Sequence, residues 1–271
     1  MDQIRWRSVG PANMSGRITA IAVNSKDPKN WWIASASGGL LKTINNGVTF
    51  EHQFDDQSTV SIGDVQVFQG DPNIVWVGTG EANPRNSASW GNGVYRSDDG
   101  GETWKHLGLK ETLHTGRIAL HPTDSNIAYV GALGRLWGTN EERGLYKTTD
   151  GGASWRKITE GLPDVDMGRI GMAISPADPD VIYAIIEAQR DKGGTYRSTD
   201  RGESWSKRSS KVASSPQYYN ELVCDPHDVD TVYCLDTWTS VSRDGGKTFD
   251  NVGNLHRHVD DHARARDRAP G

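Results

Sequence analysis

Three observations predict an all-β fold built from about five repeats of four strands. Ten Trp and eight Tyr against four Phe and four Met, together with 31 Gly, are typical of sheets joined by tight turns. One turn sequence occurs five times along the chain. Its copies are nearly evenly spaced, and a fixed period of this size is the sequence signature of a repeat architecture.

The repeated turn, the Asp box, has Asp or Asn at its third position, Gly at its fifth and an aromatic residue at its eighth. Its copies are residues 43–50, 97–104, 148–155, 198–205 and 242–249, so the third residues are 54, 51, 50 and 44 positions apart. The Asp or Asn side chain can cap the turn by accepting backbone N–H groups, and Gly supplies the required positive φ. Five copies around a ring make no single site, so a structural role is expected.

Three strand patterns precede each box. The third strand comes directly before it, as at 93–96, 144–147 and 194–197, and the second lies upstream at 74–77, 127–130, 181–184 and 231–234. A turn built on Asp-Pro or a relative separates the second strand from an apolar first strand, as at 21–23 and 172–174. The residues after the box form a fourth strand. Four meandering strands per repeat predict a β-propeller blade.

The five boxes resemble those of the Asp-box, or BNR-repeat, propellers, which include sialidases, xyloglucanase-type hydrolases, sortilin-type receptor domains and photosystem assembly factors. Residues 78–86 and 132–138 are most similar to large bacterial BNR proteins of the glycosyl hydrolase or sortilin-like kind. The resemblance spans about residues 5–262. It implies a carbohydrate or small-molecule ligand and a secreted or periplasmic location, although the start of this sequence carries no signal peptide pattern.

One propeller over residues 1–262 and a disordered tail over 263–271 are the predicted organisation. Family members are longer and carry more blades, and residues 258–262 resemble the opening of a further blade. Two arrangements stay open. Five blades close in one chain, with residues 4–7 as the outer strand of the last blade, or an incomplete ring associates with another copy through its open sheet edges.

Charge and hydropathy exclude two kinds of partner. A net charge of −5 and a pI near 5.9 give no basic field for nucleic acid, and no window is apolar enough to span a membrane. Cys224 and Cys234 are expected to be buried thiols, with a single local disulfide as the less favoured alternative.

Functional residues are expected opposite the boxes, first of all in two long loops between second and third strands. These loops offer Glu81, Asn83, Arg85, Asn86, Trp90, Arg135, Trp137, Glu141 and Arg143. Indoles and guanidinium groups of this kind suit sugar stacking and hydrogen bonding. The alternative is that Trp90 and Trp137 wedge the loops together while the charges pair locally.

A second group lies near the starts of the first strands: Arg17, Asp64, Arg117, Arg169 and Glu221. A Gly-Arg-Ile triplet at 16–18, 116–118 and 168–170 suggests that the three arginines converge, an arrangement that resembles the carboxylate-binding triad of sialidases. Tyr218 is a further candidate for substrate contact. The alternative is that the arginines only neutralise the carboxylates.

Asp64, Glu81 and Glu221 are the candidate catalytic acids, since glycoside hydrolysis needs two carboxylates about 5 to 9.5 Å apart. Xyloglucanase-type enzymes place these acids in separate propellers, and this chain has material for one.

A third group, His256, His258, Asp260 and His262, could hold a divalent metal such as zinc. No cofactor is otherwise indicated. Three functions therefore stay open: a hydrolase-like propeller that binds or cleaves carbohydrate, a non-catalytic binding scaffold, and a metal-dependent ester or phosphoester hydrolase.

Overall fold

The structure, a computed structural model, describes residues 17–83 and 88–252. These residues form twenty strands and one short 3-10 helix, arranged as five four-stranded antiparallel sheets. The predicted all-β class and the five four-stranded blades are confirmed.

Each sheet is one blade and follows the chain without a crossover. Blade one contains β1 (Ile18–Val23), β2 (Trp31–Ser35), β3 (Gly39–Thr43) and β4 (Glu51–His52). Blade two contains β5 (Ile62–Val67), β6 (Val75–Thr79), β7 (Val94–Ser97) and β8 (Lys105–His106). Blade three follows the 3-10 helix (Lys110–Thr112) and contains β9 (Thr115–Leu120), β10 (Ala128–Ala132), β11 (Gly144–Thr148) and β12 (Arg156–Ile158).

The last two blades repeat this arrangement. Blade four contains β13 (Met167–Ile174), β14 (Ile182–Ala188), β15 (Gly194–Ser198) and β16 (Ser206–Ser209). Blade five contains β17 (Glu221–Cys224), β18 (Val232–Leu235), β19 (Ser240–Ser242) and β20 (Asp250–Asn251). Because every sheet is a simple meander, the first-to-second and third-to-fourth connections share one end of each blade, here called the box end. The second-to-third connections and the links between blades share the opposite end, the loop end.

At the box end, the four boxes with Asp at the third position are closed by the same set of hydrogen bonds. In the second box, Asp99 accepts from the Ser97 hydroxyl (2.7 Å) and from the backbone N–H and hydroxyl of Thr103 (2.9 and 2.5 Å). These bonds favour the ionised carboxylate and lower the pKa of Asp99 to about 2. Asp150, Asp200 and Asp244 make the equivalent contacts. The expected capping role of the box residue is therefore present in the structure.

In blades one to four, the aromatic residue of the second strand packs between its own blade and the next. This side chain points toward the following blade and is buried there, with a cation from the third strand about 5.5 Å above its ring. The pairs are Trp32 with Lys42, Trp76 with Arg96, Tyr129 with Lys147 and Tyr183 with Arg197. Aliphatic side chains of the next blade complete four apolar cores between successive blades.

The last blade obtains its outer strand from its own repeat. Val241 in β19 pairs with Asp250, directly after the fifth box, because the turn brings the chain back antiparallel. The outer position is thus filled locally, which differs from the expectation that residues 4–7 fill it. Residues 4–7, the further-blade motif at 258–262 and the tail at 263–271 lie outside the described residues.

Both cysteines are buried free thiols, as favoured from the sequence. Burial raises the pKa of Cys224 to about 12 and that of Cys234 to about 11, so neither is reactive at neutral pH. Within residues 17–83 and 88–252, no helix has both the length and the apolar character needed to cross a bilayer.

Candidate functional site

The charged candidates of the first strands all lie at the loop end. Arg17 directly precedes β1, and Asp64, Arg117, Arg169 and Glu221 belong to β5, β9, β13 and β17. The first strands of successive blades are neighbours, so these side chains are brought toward one another. The strand register decides at which height along its blade each of these side chains lies.

The Gly-Arg-Ile triplets do not occupy equivalent positions. Ile18 and Ile170, which follow Arg17 and Arg169, pair with Ser35 and Ile186 at matching points of β2 and β14. Arg117 itself pairs with Gly131, beyond a register shift in β9 that has no counterpart at the same point of β13. The triplet therefore places Arg117 at a different level from the other two arginines.

Register instead aligns Asp64, Arg117 and Glu221, which pair with Gly78, Gly131 and Leu235. Blade four has Gly171 at this position, where an added Cβ would lie 1.8 Å from the Asn220 carbonyl oxygen. One glycine in the ring of charged residues thus leaves room for the chain of blade five. This equivalence explains why residues so far apart in sequence meet.

Asp64, Arg117, Arg169 and Glu221 form what we call the central ion cluster. Arg117 Nε lies 3.9 Å from Asp64 Oδ2, and Arg117 Nη1 lies 4.0 Å from Glu221 Oε2. Arg169 Nη2 approaches Glu221 Oε1 to 3.2 Å. Two of the three candidate arginines therefore converge on one carboxylate, and the third does not.

The carboxylates of this cluster differ in their surroundings. Asp64 is buried and accepts the N–H groups of Val65 (2.9 Å) and Ile118 (2.7 Å). Burial raises its pKa, and the Arg117 guanidinium and the hydrogen bonds oppose that shift. Glu221 is partly open to solvent. Burial also lowers the pKa of Arg169, which Glu221 counteracts.

Glu81 lies in a separate contact. Both its oxygens accept from Arg17, from Nε at 2.6 Å and from Nη2 at 2.7 Å, and the carboxylate is buried while Arg17 is half-exposed. Asn83, two residues on, accepts from Arg169 Nη1. The imidazole of His114 is buried with Nδ1 3.2 Å from the Glu81 carbonyl oxygen, and burial lowers its pKa. The start of the loop at 80–93 is thus fixed to blades one, three and four.

Three tryptophan side chains are exposed to solvent at the loop end. Trp90, Trp137 and Trp238 are 69, 78 and 47% exposed. They lie in the second-to-third-strand loops of blades two, three and five. Trp90 and Trp137 are candidates from the sequence, whereas Trp238 was missed because its loop, residues 236–239, is short. Its position after the second strand is the signal that could have found it.

A cleft of about 370 Å³ opens at the loop end between blades three and four. Its lining residues are Leu133, Leu136, Arg143, Asp166, Gly168, Arg169, Glu187, Ala188, Gln189 and Gln217. Arg143 fixes one wall, since it donates to the carbonyl oxygens of Arg135 (2.6 Å) and Met167 (3.3 Å). Leu136 places the exposed Trp137 beside this cleft.

Two further candidates, Arg135 and Tyr218, are sequence neighbours of the cleft residues Leu136 and Gln217. Arg135 is exposed, and no ion pair links it to another described residue. Tyr218 is half-buried beside Tyr219, in the link to blade five, with ring centroids 6.3 Å apart. Arg85, His256, His258, Asp260 and His262 lie outside the described residues. Within residues 17–83 and 88–252, no three His, Cys, Asp or Glu side chains are grouped to hold a metal.

Comparison with known proteins identifies relatives of two kinds. A family model for Sortilin-Vps10 (sortilin, neurotensin receptor 3) matches residues 92–237. The vacuolar protein sorting/targeting protein 10 of Colletotrichum graminicola is 34% identical over 88 residues, which are 32% of this chain and 5% of that protein. The xyloglucanase Xgh74A of Acetivibrio thermocellus is 33% identical over 173 residues, or 59% of this chain and 20% of the enzyme. The chain thus spans a small part of either relative.

Solved structures share the fold at low identity. A GH74 xyloglucanase from Xanthomonas campestris superposes with a TM-score of 0.66 at 18% identity, covering 84% of this chain and 36% of the enzyme. YCF48 from Cyanidioschyzon merolae gives a TM-score of 0.56 at 16% identity, covering 90% of this chain and 74% of that protein. At such identities the likeness concerns the propeller fold alone.

Proposed function

We propose that this chain, which belongs to the Sortilin-Vps10 family, binds carbohydrate at the loop end of its propeller. The observation that supports the proposal is the exposure of Trp90, Trp137 and Trp238 in equivalent loops of three blades. An exposed indole ring keeps apolar surface in contact with water, which is unfavourable unless a ligand covers it. Its flat face suits the C–H face of a sugar ring.

The box end contains tryptophans of a different kind. Trp104, Trp155 and Trp205 close their boxes, and each indole N–H donates to a backbone carbonyl: of Gln53 at 2.8 Å, of Leu107 at 2.7 Å and of Gly202 at 3.3 Å. All three are buried or half-buried. Among the described residues, exposed indoles therefore occur only at the loop end.

An extended oligosaccharide fits these positions better than a single sugar. The three indoles belong to three blades, and one sugar ring covers one indole face. The cleft beside Trp137 adds carboxylate and amide groups, including Asp166 and Gln217, that can bond sugar hydroxyls. The relationship to a xyloglucanase makes xyloglucan oligosaccharides the first probe.

The surroundings of the three candidate carboxylates favour binding of carbohydrate without cleavage. Asp64 and Glu81 are buried and already bonded, to backbone N–H groups and to Arg17 respectively. Glu221 is partly accessible, but it lies between two arginines. A glycosidase needs two carboxylates free to face the bond from either side. The catalytic assignment of these three residues stays a prediction, as does the metal-dependent alternative.

Calorimetric titration with xyloglucan oligosaccharides tests the proposal. Trp137→Ala and Trp238→Ala are expected to weaken binding by about tenfold each, which corresponds to about 1.4 kcal/mol per lost stacking contact. Val48→Ala, which shortens an exposed apolar side chain at the box end, is the control and should bind as the wild type does.

Three results would contradict the proposal. If the two Trp variants bind the oligosaccharides as tightly as the wild type does, the indoles do not contact the ligand. Absence of binding to any oligosaccharide, together with saturable binding of a peptide, would favour the scaffold function instead. Release of reducing sugar by the wild type, lost in Glu221→Gln, would replace binding by hydrolysis.

A further inference from the structure

The loop that carries Trp137 is bonded to a single side chain. Arg143 Nη2 donates to the carbonyl oxygen of Arg135 at 2.6 Å, and it also approaches those of Leu136 (3.4 Å) and Gly138 (3.2 Å). The chain thus turns around one guanidinium group. Trp137 lies between the second and the third of these carbonyl groups, and its own side chain is exposed.

The same guanidinium group joins the loop to the next blade. Arg143 Nη1 donates to the carbonyl oxygen of Met167, the first residue of β13 (3.3 Å). All four acceptors are backbone carbonyl oxygens, and none of the carboxylates that the structure describes forms an ion pair with Arg143. Other arginines do pair with carboxylates: Arg17, Arg96, Arg117, Arg156, Arg169, Arg197 and Arg201. The contacts of Arg143 are therefore those of a residue that fixes a loop.

Other residues of the loop restrict its conformation further. Asn140 Nδ2 donates to the Arg135 carbonyl oxygen at 3.2 Å, so two side chains bond the same carbonyl group. Gly134 has a φ of 63° and no room for a side chain, because an added Cβ would collide with Asn140 Oδ1 and lie 2.9 Å from Arg143 Cγ. Together these contacts favour one conformation of the loop.

A fixed loop raises the affinity of a side chain that contacts a ligand from solvent. Ordering a mobile loop on binding costs free energy, and a loop that already has the bound conformation avoids this cost. Arginine suits the task, because its planar group presents several N–H donors in fixed directions. Lysine offers one ammonium group on a flexible stem and does not replace those bonds.

We infer that Arg143 is a positioning residue for the carbohydrate site, and that it holds Trp137 in the orientation that stacks on the ligand. The inference rests on the proposed function, in which Trp137 contacts carbohydrate. Arg143 acts through the backbone of the loop, so its contribution to affinity depends on the presence of the indole. The two residues are therefore expected to be energetically coupled.

A double-mutant cycle tests this coupling by calorimetric titration with xyloglucan oligosaccharides. Arg143→Lys is expected to weaken binding about fivefold and Trp137→Ala about tenfold. The double variant should bind about tenfold more weakly than the wild type, and not about fiftyfold, because Arg143 has no effect once the indole is removed. Arg156→Lys, the same substitution at the box end of the same blade, is the matched control and should bind as the wild type does.

Backbone ¹⁵N relaxation at Trp137 tests the positioning role without a ligand. We expect an order parameter of about 0.85 in the wild type and one below about 0.6 in Arg143→Lys, with no change at Trp238 in blade five. Because this measurement needs no carbohydrate, it separates failure of the inference from failure of the proposed function. The circular dichroism spectrum of each variant, compared with that of the wild type, separates loss of the loop conformation from loss of the fold.

Equal order parameters at Trp137 in the wild type and in Arg143→Lys would overturn the inference. So would losses of affinity that multiply to about fiftyfold in the double variant, since Arg143 would then contact the ligand itself. If Trp137→Ala binds as tightly as the wild type does, the proposed function is contradicted and the role of Arg143 in binding fails with it, whatever the order parameters are.

Discussion

The box end and the loop end of the propeller are built from the same blades but follow different rules. At the box end, the capping carboxylate makes nearly the same contacts in blades two to five: Asp99, Asp150, Asp200 and Asp244. At the loop end, the equivalent positions Asp64, Arg117, Gly171 and Glu221 all differ. Repetition maintains the scaffold, and departure from repetition marks the region where a specific function can develop.

The same difference separates the tryptophans. Those that close the boxes donate their indole N–H groups to the backbone and are buried or half-buried. Those of the loop end are exposed and occur in only three blades. A residue type that stabilises one end of the molecule is thus available for ligand contact at the other.

The largest effect on stability is expected from the central ion cluster at the loop end. Arg117→Ala leaves Asp64 buried without its nearest cation and should destabilise the protein by about 3 kcal/mol or more. Urea unfolding measures the change. Arg135→Ala, which removes an exposed arginine of the same end, should stay within about 0.5 kcal/mol of the wild type. Equal effects of the two substitutions would show that the cluster contributes no special stability.

A pH-dependent effect is expected from His114, whose buried Nε2 has no hydrogen-bond partner in the described part of the chain. Because burial lowers its pKa below 6.5, the unfolded state binds the proton more readily. Stability should therefore fall as pH decreases from about 7 through 6.5, by at most about 1.4 kcal/mol per pH unit for one proton. Between pH 7.5 and 5.5, the free energy of unfolding should decrease less in His114→Gln than in the wild type. An equal decrease in both proteins would assign the pH dependence to other groups.

The smallest effect is expected from a single box, because four others remain. Asp99→Ala removes one turn cap and should cost about 1 kcal/mol. Because the pKa of Asp99 in the folded protein is lowered to about 2, the stabilisation by its carboxylate is complete above pH 3.8 and is lost as pH falls through about 2. Thermal unfolding at pH 7 and pH 3 measures it, with exposed Glu102→Ala as control. A loss as large as that of Arg117→Ala would mean that the boxes are not interchangeable.

The sequence predicted the repeating part of the molecule better than the part that does not repeat. The boxes identify the blades because capping by Asp99 or Asp150 depends on neighbouring residues alone. The level of Arg117 could not be predicted from its Gly-Arg-Ile triplet, because a register shift in β9 moves it relative to Arg169. Bulges of this kind depend on pairing with the next strand and leave little trace in local sequence.

Exposure was also beyond the reach of the sequence. Trp137 and Trp155 belong to the same blade, yet the side chain of Trp137 is exposed and that of Trp155 closes a box. The apolar alternation of β1 resembles that of β5, yet Ile21 is exposed and its register equivalent Val65 is buried. Both features depend on tertiary arrangement.

The most direct test of carbohydrate binding at the loop end is a titration of the indole N–H signals in a two-dimensional ¹H–¹⁵N NMR spectrum with a xyloglucan oligosaccharide. Single Trp→Phe substitutions assign the signals. We expect those of Trp90, Trp137 and Trp238 to shift together to saturation while those of Trp32, Trp76 and Trp155 stay in place. Saturable shifts confined to the buried indoles, or no shift of any indole with any oligosaccharide, would contradict the proposed function.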